Sequence, residues 1–213
     1  RLIERVLAPF YARVILLDGG DERWWERGRH LGETYAERCG VPAPSQGAIY
    51  LSEIHRAAAA EYCARHGLGD FVYVAQVIRR ARAFRSWPIE HYQALYGRLR
   101  ARGVTMPIVV DTTGSDETYV PDGCRALERV DILTAAALIE RARLFVGPDS
   151  GLTHVAAALG VPTVAIHLGF PPEACRALGK RVAVVRQSEP FEDPSLTTPA
   201  RVWETLESLE VFA

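Results

Sequence analysis

A turn at residues 147–151 carries the residue types of this chain best suited to binding an anion. It follows an apolar run, residues 144–146, that is typical of a buried strand, and it precedes residues 152–159, which have a helical pattern. The turn contains Asp149 and Ser150 between glycines. Unpaired amide groups at a helix start, with the positive end of the helix dipole, attract phosphate. We therefore predict a phosphate site here, although Asp149 and Ser150 could also serve only as a helix cap.

The turn differs from three better-known site motifs. The chain has no GxGxxG fingerprint and no GKS or GKT of a P-loop. The glycine before Ser150 stands three residues back, not two, so the turn is not a nucleophile elbow. His154 follows Ser150 by about one helical turn and could donate to a phosphate or a sugar hydroxyl, or it could simply be packed. A hydrolase that uses Ser150 and His154 is disfavoured, because no third member of a triad is evident.

Cationic side chains follow the strand predicted over residues 71–78. Four arginines lie within seven residues: Arg79, Arg80, Arg82 and Arg85. Surface arginines are usually only solvated, but guanidinium groups bind phosphate oxygens in a bidentate manner. One of these four could therefore neutralise a diphosphate.

An acidic residue follows the next predicted strand, residues 107–110. The segment DTTGSDE at residues 111–117 could be a turn with a helix cap. Its carboxylate Glu117 could instead accept hydrogen bonds from ribose hydroxyls or from the amino group of a base.

Strands and helices alternate along most of the chain, which indicates right-handed crossovers and a parallel sheet covered on both faces. The predicted strands are residues 71–78, 107–110, 144–146, 163–166 and 181–185, with a further short one at 14–17. The predicted helices are residues 24–39, 53–66, 89–102, 133–143, 152–159 and 199–209. The fold class is therefore α/β, with a Rossmann-like, doubly wound parallel sheet.

Composition narrows the possible partners. The 213 residues carry a formal net charge of −1, which gives no basic field for nucleic acid. The four cysteines have neither metal-ligand nor redox-pair spacing, so we expect structural thiols in a reducing, cytoplasmic setting. No apolar run is long enough to span a bilayer. The chain begins at Arg1 and has one methionine, Met106, so we expect it to be a piece of a longer protein.

Three segments, in this order, resemble glycosyltransferase family 9, the heptosyltransferases of lipopolysaccharide core synthesis and their relatives. They are FRSWPIEHYQALYGRLRARG, IVVDTTGSDE and FVGPDSGLTHVAAALGVPTVAI. The resemblance covers residues 68–170 and implies a GT-B enzyme, in which two Rossmann-like domains face each other across a cleft. It implies that residues 1–67 are the remnant of the N-terminal, acceptor-side domain with its linker. Residues 68–194 would then be the donor-binding domain and residues 195–213 a C-terminal helix.

The resemblance assigns seven residues to donor binding: Arg85, Glu117, Asp149, Ser150, Gly151, Leu152 and His154. Four of them, from Asp149 to Leu152, would line the diphosphate of the donor with His154 close by, and Glu117 would hold the nucleoside. Arg85 stands where the family commonly carries lysine. The chain departs from the family directly after the preceding strand, where arginines replace the expected small or hydroxyl residues.

The resemblance also implies the reaction. A sugar would move from a nucleotide-diphosphate donor, for which ADP-heptose is one candidate, to a lipopolysaccharide or other glycan acceptor, with inversion and without a metal or other cofactor. The enzyme would work in the cytoplasm, with at most peripheral contact at the inner face of the inner membrane. The family places its catalytic base early in the N-terminal domain, so the resemblance implies a base upstream of Arg1. The surroundings of Asp18 and Asp21 do not match the family pattern, and neither is assigned to this role.

Two alternatives remain open at this point: a nucleotide-sugar-binding module without turnover, and a nucleotide-sugar epimerase. The sequence leaves open the donor sugar and base, the acceptor, the catalytic base, the oligomeric state and whether this chain alone is active.

Overall fold

The structure, a computed structural model, describes residues 23–211. The strand predicted at residues 14–17 and the two aspartates Asp18 and Asp21 lie outside the described residues. The described residues form two compact units: residues 23–44 with Glu173–Cys175, and residues 45–172 with 176–211.

The first unit is small and helical. A short 3-10 helix, Trp24–Arg27, is followed by α1, Leu31–Cys39. The sequence pattern predicts one helix over residues 24–39, whereas Gly28 adopts a left-handed φ of +61° and separates two. Gly40, with a φ of +68°, ends α1 as predicted.

The second unit is built on six parallel strands in the spatial order β3-β2-β1-β4-β5-β6. The strands are β1 Val72–Ala75, β2 Ile108–Asp111, β3 Arg125–Ala126, β4 Leu144–Pro148, β5 Thr163–His167 and β6 Val182–Arg186. The helices of this sheet are α2 Glu53–His66, α3 Ile89–Ala101, α4 Ile132–Arg141, α5 Gly151–Ala158 and α7 Pro199–Glu207. The very short helix α6, Pro172–Cys175, precedes β6. The α/β fold class and the parallel sheet are confirmed.

Each face of the sheet has its own hydrophobic core. On one face, Trp87 and Tyr92 pack with Trp203 of α7 against Val74 and Val146. The opposite core contains Tyr62 of α2, Leu138 of α4 and Ala156 of α5, with Tyr73 and Phe145 from the strands. Both faces of the central strands are therefore covered, which explains why β1 and β4 are apolar at nearly every position.

The strand order reverses between β1 and β4. After β1 the chain adds β2 and β3 on one side, and after β4 it adds β5 and β6 on the other. The carboxyl ends of β1 and β4 therefore flank a crevice, which is where ligands bind in open α/β sheets. Among residues 23–211, no helix has the length and apolar character needed to cross a bilayer.

Candidate functional site

The start of α5 presents backbone amides that the fold does not use. Ser150 caps the helix through its backbone, with an extended φ of −150° and ψ of 168°. Its carbonyl accepts from the amides of Thr153 (3.1 Å) and His154 (3.3 Å). Within the part of the chain that the structure describes, the amides of Ser150, Gly151 and Leu152 meet no acceptor. Three donors thus lie next to one another at the positive end of a helix dipole.

The side chain of Ser150 does not compete for these amides. Its hydroxyl lies 3.5 Å from the Thr153 hydroxyl, which donates to the carbonyl of Pro148 at 2.5 Å. No side-chain hydrogen bond caps the helix. The alternative that Asp149 and Ser150 serve only as a side-chain cap of α5 is therefore not favoured.

A cavity of about 310 Å³ adjoins these amides. Its apolar wall comes from the ends of β1 and β3 and the first turns of α4 and α5: Val77, Leu127, Val130, Ile132, Ala135 and Leu152. Its polar lining includes Arg79, Asp111 and Thr113. An apolar slot with a few polar groups has the character of a small-ligand site.

Asp111 shapes the polar side of this cavity. One carboxylate oxygen accepts from the Tyr73 hydroxyl at 2.6 Å, and the other accepts from the amide of Thr113 at 2.8 Å. Burial, together with the charge of Asp111, raises the pKa of Tyr73 well above its ordinary value. Tyr73 therefore stays protonated, and its hydroxyl donates to the Asp111 carboxylate.

A cluster of charged and titratable side chains lies beside the open amides. Arg85 Nη2 donates to Asp149 Oδ2 at 2.5 Å and to the Asp149 carbonyl at 3.1 Å. On the other carboxylate oxygen, Oδ1, His154 Nε2 lies at 3.6 Å and His167 Nε2 at 3.8 Å. The structure thus brings together Arg85, Asp149 and His154, which the sequence analysis singled out, and adds His167, which it did not.

The electrostatics of this cluster favour an ionised Asp149. Burial of the Asp149 side chain, which is 8% exposed, opposes ionisation. The nearby His154, His167 and Arg85 outweigh this effect, so the pKa of Asp149 lies below its ordinary value.

His167 is the least expected member of the cluster. Its Nδ1 lies 3.0 Å from the carbonyl of Phe170, while its buried Nε2 has no hydrogen-bond partner among the described residues. Burial lowers the pKa of His167, although Asp149 and the Phe170 carbonyl both favour the protonated form. His167 is the last residue of β5. The sequence signal that could have identified His167 is a polar side chain directly after an apolar predicted strand.

Glu117 stands apart from the other predicted residues. It does not line the cavity, and its carboxylate lies 3.6 Å from Arg80 Nε. The loop after β1 contributes Arg79 to the cavity instead, with its guanidinium packed on Gly114. That glycine has a φ of +72°, and a Cβ there would lie 2.6 Å from Arg79 Nη2.

Comparison with known proteins gives a consistent family. The family model described as Glycosyltransferase family 9 (heptosyltransferase) matches residues 4–201. The chain is 30% identical over 112 residues to lipopolysaccharide heptosyltransferase 3 of Escherichia coli, an alignment that covers 47% of this chain and 32% of that protein.

Solved structures agree on the fold. The E. coli ADP-heptose lipopolysaccharide heptosyltransferase II has a TM-score of 0.63 at 25% identity, covering 81% of this chain and 56% of that one. A family 9 glycosyl transferase from Veillonella parvula has a TM-score of 0.66 at 20% identity, and the match covers 98% of this chain and 66% of that one. The chain therefore spans a third of the curated relative and about three fifths of these two solved chains.

Proposed function

We infer, since this chain belongs to glycosyltransferase family 9 (heptosyltransferase), that it is the donor-binding part of an enzyme that transfers a sugar from a nucleoside diphosphate. The observation that carries this proposal is the set of three open amides at Ser150, Gly151 and Leu152. Arg85 supports it, because its Nη2 alone donates to Asp149 and its other N–H donors have no hydrogen-bond acceptor among residues 23–211, so they can meet phosphate oxygens.

We assign the parts of the donor by the chemistry of each surface. The nucleoside lies in the apolar cavity at the ends of β1, β2 and β3, and the diphosphate lies on the α5 amides and Arg85. His154 donates to the diphosphate or to the sugar, and Asp149 orients Arg85. The resemblance to the family adds Glu117 as a nucleoside contact. Residues 68–194 are the proposed donor-binding domain, preceded by the acceptor-side remnant 1–67 and followed by the helical segment 195–213.

The proposed chemistry is an inverting transfer. The bond between the anomeric carbon and the diphosphate oxygen breaks as an acceptor hydroxyl attacks from the opposite face, and a base removes the proton of that hydroxyl. Negative charge grows on the departing diphosphate. Fixed amides and a guanidinium that face this charge lower the barrier. They supply positive charge to the leaving group, so the proposal includes no metal.

The relatives suggest the substrates. The E. coli protein of 25% identity is named an ADP-heptose enzyme of lipopolysaccharide, so we propose ADP-heptose as the donor and a lipopolysaccharide or related glycan as the acceptor. The enzyme would then work in the cytoplasm, with peripheral contact at the inner face of the inner membrane.

Calorimetry with ADP and ADP-heptose tests the donor site directly. Asp149→Ala and His154→Ala are each expected to weaken binding tenfold or more, equivalent to about 1.4 kcal/mol. Asp70→Ala is the control, because it removes an exposed carboxylate that precedes β1, at the end of the sheet opposite the cavity. Wild-type protein that binds neither nucleotide, or site variants that bind like this control, would contradict the proposal.

A labelled ADP-heptose assay separates transfer from the two alternatives. Label that moves to an added glycan acceptor indicates a transferase, whereas interconversion of the sugar without acceptor indicates an epimerase, which family membership does not favour. Binding without either reaction indicates the other alternative, a nucleotide-sugar-binding module without turnover.

A further inference from the structure

Three phenylalanines form a cluster at the sheet edge that carries the donor site. Phe84 precedes Arg85, Phe170 follows β5, and Phe191 follows β6. The ring centroids of Phe170 and Phe191 are 5.3 Å apart, those of Phe84 and Phe191 are 5.5 Å apart, and those of Phe84 and Phe170 are 6.3 Å apart. Phe84 is 37% exposed and Phe191 is 42% exposed. Large aromatic side chains are thus held together while they face solvent.

The backbone fixes Phe191 in an unfavourable conformation. Its φ of +62° lies in the left-handed region that a bulky residue rarely adopts. Its amide donates to the carbonyl of Gly169 at 3.0 Å. The buried amide of Gln187 joins the two loops, since it accepts from Gly169 N–H and donates to the Glu192 carbonyl, both at 2.6 Å. Strained residues that the surroundings hold this firmly occur mainly at functional sites.

Gly169 brings the cluster against the diphosphate-binding arginine. Its φ is +85°, and a Cβ there would lie 2.9 Å from both Arg85 Cγ and Phe84 Cδ2. The guanidinium carbon of Arg85 lies 5.1 Å from the centroid of Phe170. The guanidinium that contacts Asp149 therefore also contacts the aromatic cluster.

The order of the strands sets the direction of a bound donor. The cavity lies at the ends of β1, β2 and β3, and the open amides follow β4. Phe170 and Phe191 of the cluster follow β5 and β6, and Phe84 meets them from the segment after β1. A donor with its nucleoside in the cavity and its diphosphate on α5 has its sugar on the β5 side of the sheet.

We propose that Phe84 and Phe191 form a stacking surface for the pyranose ring of the donor sugar, an inference that rests on the proposed function. The C–H groups on one face of a pyranose are apolar and carry slight positive charge, which complements the negative face of an aromatic ring. The cluster thus recognises the sugar, while the amides and Arg85 recognise the diphosphate. A rigid surface costs little conformational entropy when the sugar binds.

The test compares ADP and ADP-heptose, which share the nucleoside and the diphosphate, by calorimetry on the whole chain, with each variant referred to the wild type for the same ligand. The double variant with Phe84→Ala and Phe191→Ala is expected to bind ADP-heptose at least fivefold more weakly than the wild type. Its affinity for ADP is expected to change less than twofold. Phe191→Tyr keeps an aromatic ring at this position and is expected to retain most of the affinity for ADP-heptose. Ile54→Ala, which removes an apolar side chain 79% exposed on α2, is the control for loss of surface apolar area.

Each outcome has one meaning. Equal losses for both ligands would overturn the inference, because the cluster would then only support Arg85. A double variant that binds ADP-heptose within twofold of the wild type would overturn it as well, while the proposed diphosphate site would stand. A wild-type chain that binds neither ligand would instead refute the proposed function. Thermal unfolding of Phe84→Ala and Phe191→Ala singly identifies any loss that comes from folding.

Discussion

Replacement of Gly151 by proline removes one of the three open amides without removing a side chain. Gly151 is the first residue of α5, a position where proline is favoured because its missing N–H has no partner inside the helix. Ser150 before it is extended, as a residue before proline must be. A Cβ at position 151 meets nothing within 4 Å. The variant is therefore expected to fold, and Gly151→Ala, which keeps the N–H, is its matched control.

The magnitude follows from the charge on the ligand. A hydrogen bond to a charged group contributes about 1.5–3 kcal/mol, which corresponds to about 10- to 150-fold in affinity. Gly151→Pro should lower the affinity for ADP by at least this factor relative to Gly151→Ala, because the proline ring also takes the place of the amide hydrogen that would meet the phosphate. Adenosine, which lacks phosphates, should bind the two variants with similar affinity.

Calorimetry with ADP and adenosine provides the measurement, with thermal unfolding to show that both variants are folded. Equal ADP affinity of the proline and alanine variants would refute the reasoning, since the amide would then not contact the diphosphate. A parallel loss of adenosine affinity would refute it too, because the substitution would then have deformed the cavity and not removed a phosphate contact.

Three further outcomes follow from the same geometry. In calorimetry, Arg85→Ala should weaken ADP binding tenfold or more, equivalent to about 1.4 kcal/mol. Arg85→Lys should restore most of the lost affinity if the positive charge matters more than the planar geometry of the guanidinium. Unchanged affinity in Arg85→Ala would count against the site. Asp149→Asn should be less stable than wild type at neutral pH, by a margin that shrinks as the pH falls below the ordinary Asp pKa of 3.8. The sign follows because a lowered folded pKa stabilises the fold only while the group is ionised; a margin that does not vary between pH 7 and 3 in thermal melts would contradict it. Trp87→Phe should lose about 2 kcal/mol in urea unfolding, since a fully buried indole loses ring volume and its 2.7 Å hydrogen bond to the Thr197 carbonyl. A change below about 0.5 kcal/mol would be inconsistent with that packing.

Strong apolar runs explain why most of the sheet could be predicted. Four of the five strands predicted within the described residues coincide closely with β2, β4, β5 and β6. The strand predicted over residues 71–78 is shorter in the structure, because β1 ends at Ala75, directly before Gln76. The buried amide of that glutamine lies 2.8 Å from both the N–H and the carbonyl of Tyr119, which anchors the loop after β2. The strand β3 was missed, since two exposed residues carry no apolar signal.

Site residues that lie in one local segment could be predicted, whereas those brought together by long-range contacts could not. Asp149, Ser150 and Gly151 could be identified because a strand, a turn and a helix follow each other within one segment. His167 could not, because its distance to Asp149 depends on the pairing of β4 with β5, which sets Pro148 beside Ile166. Packing of Arg79 on Gly114 likewise depends on two loops from neighbouring strands, and no periodicity in either loop encodes it.

The contact between Arg85 and Asp149 shows why one carboxylate can belong at an anion site. It joins two loops 64 residues apart, one after β1 and one after β4, across the point where the strand order reverses. An ionised aspartate near a diphosphate would repel it if it faced the ligand alone. Here one carboxylate oxygen is occupied by Arg85 and the other faces two imidazoles, so the charge is balanced before a ligand arrives. The guanidinium is thus held in place by an anion on one side and an aromatic ring on another, and its remaining donors need no reorganisation to meet the phosphate. Affinity for the diphosphate should therefore depend on Asp149 through the position of Arg85, and the Asp149→Ala loss should be smaller in an Arg85→Ala background than in the wild type.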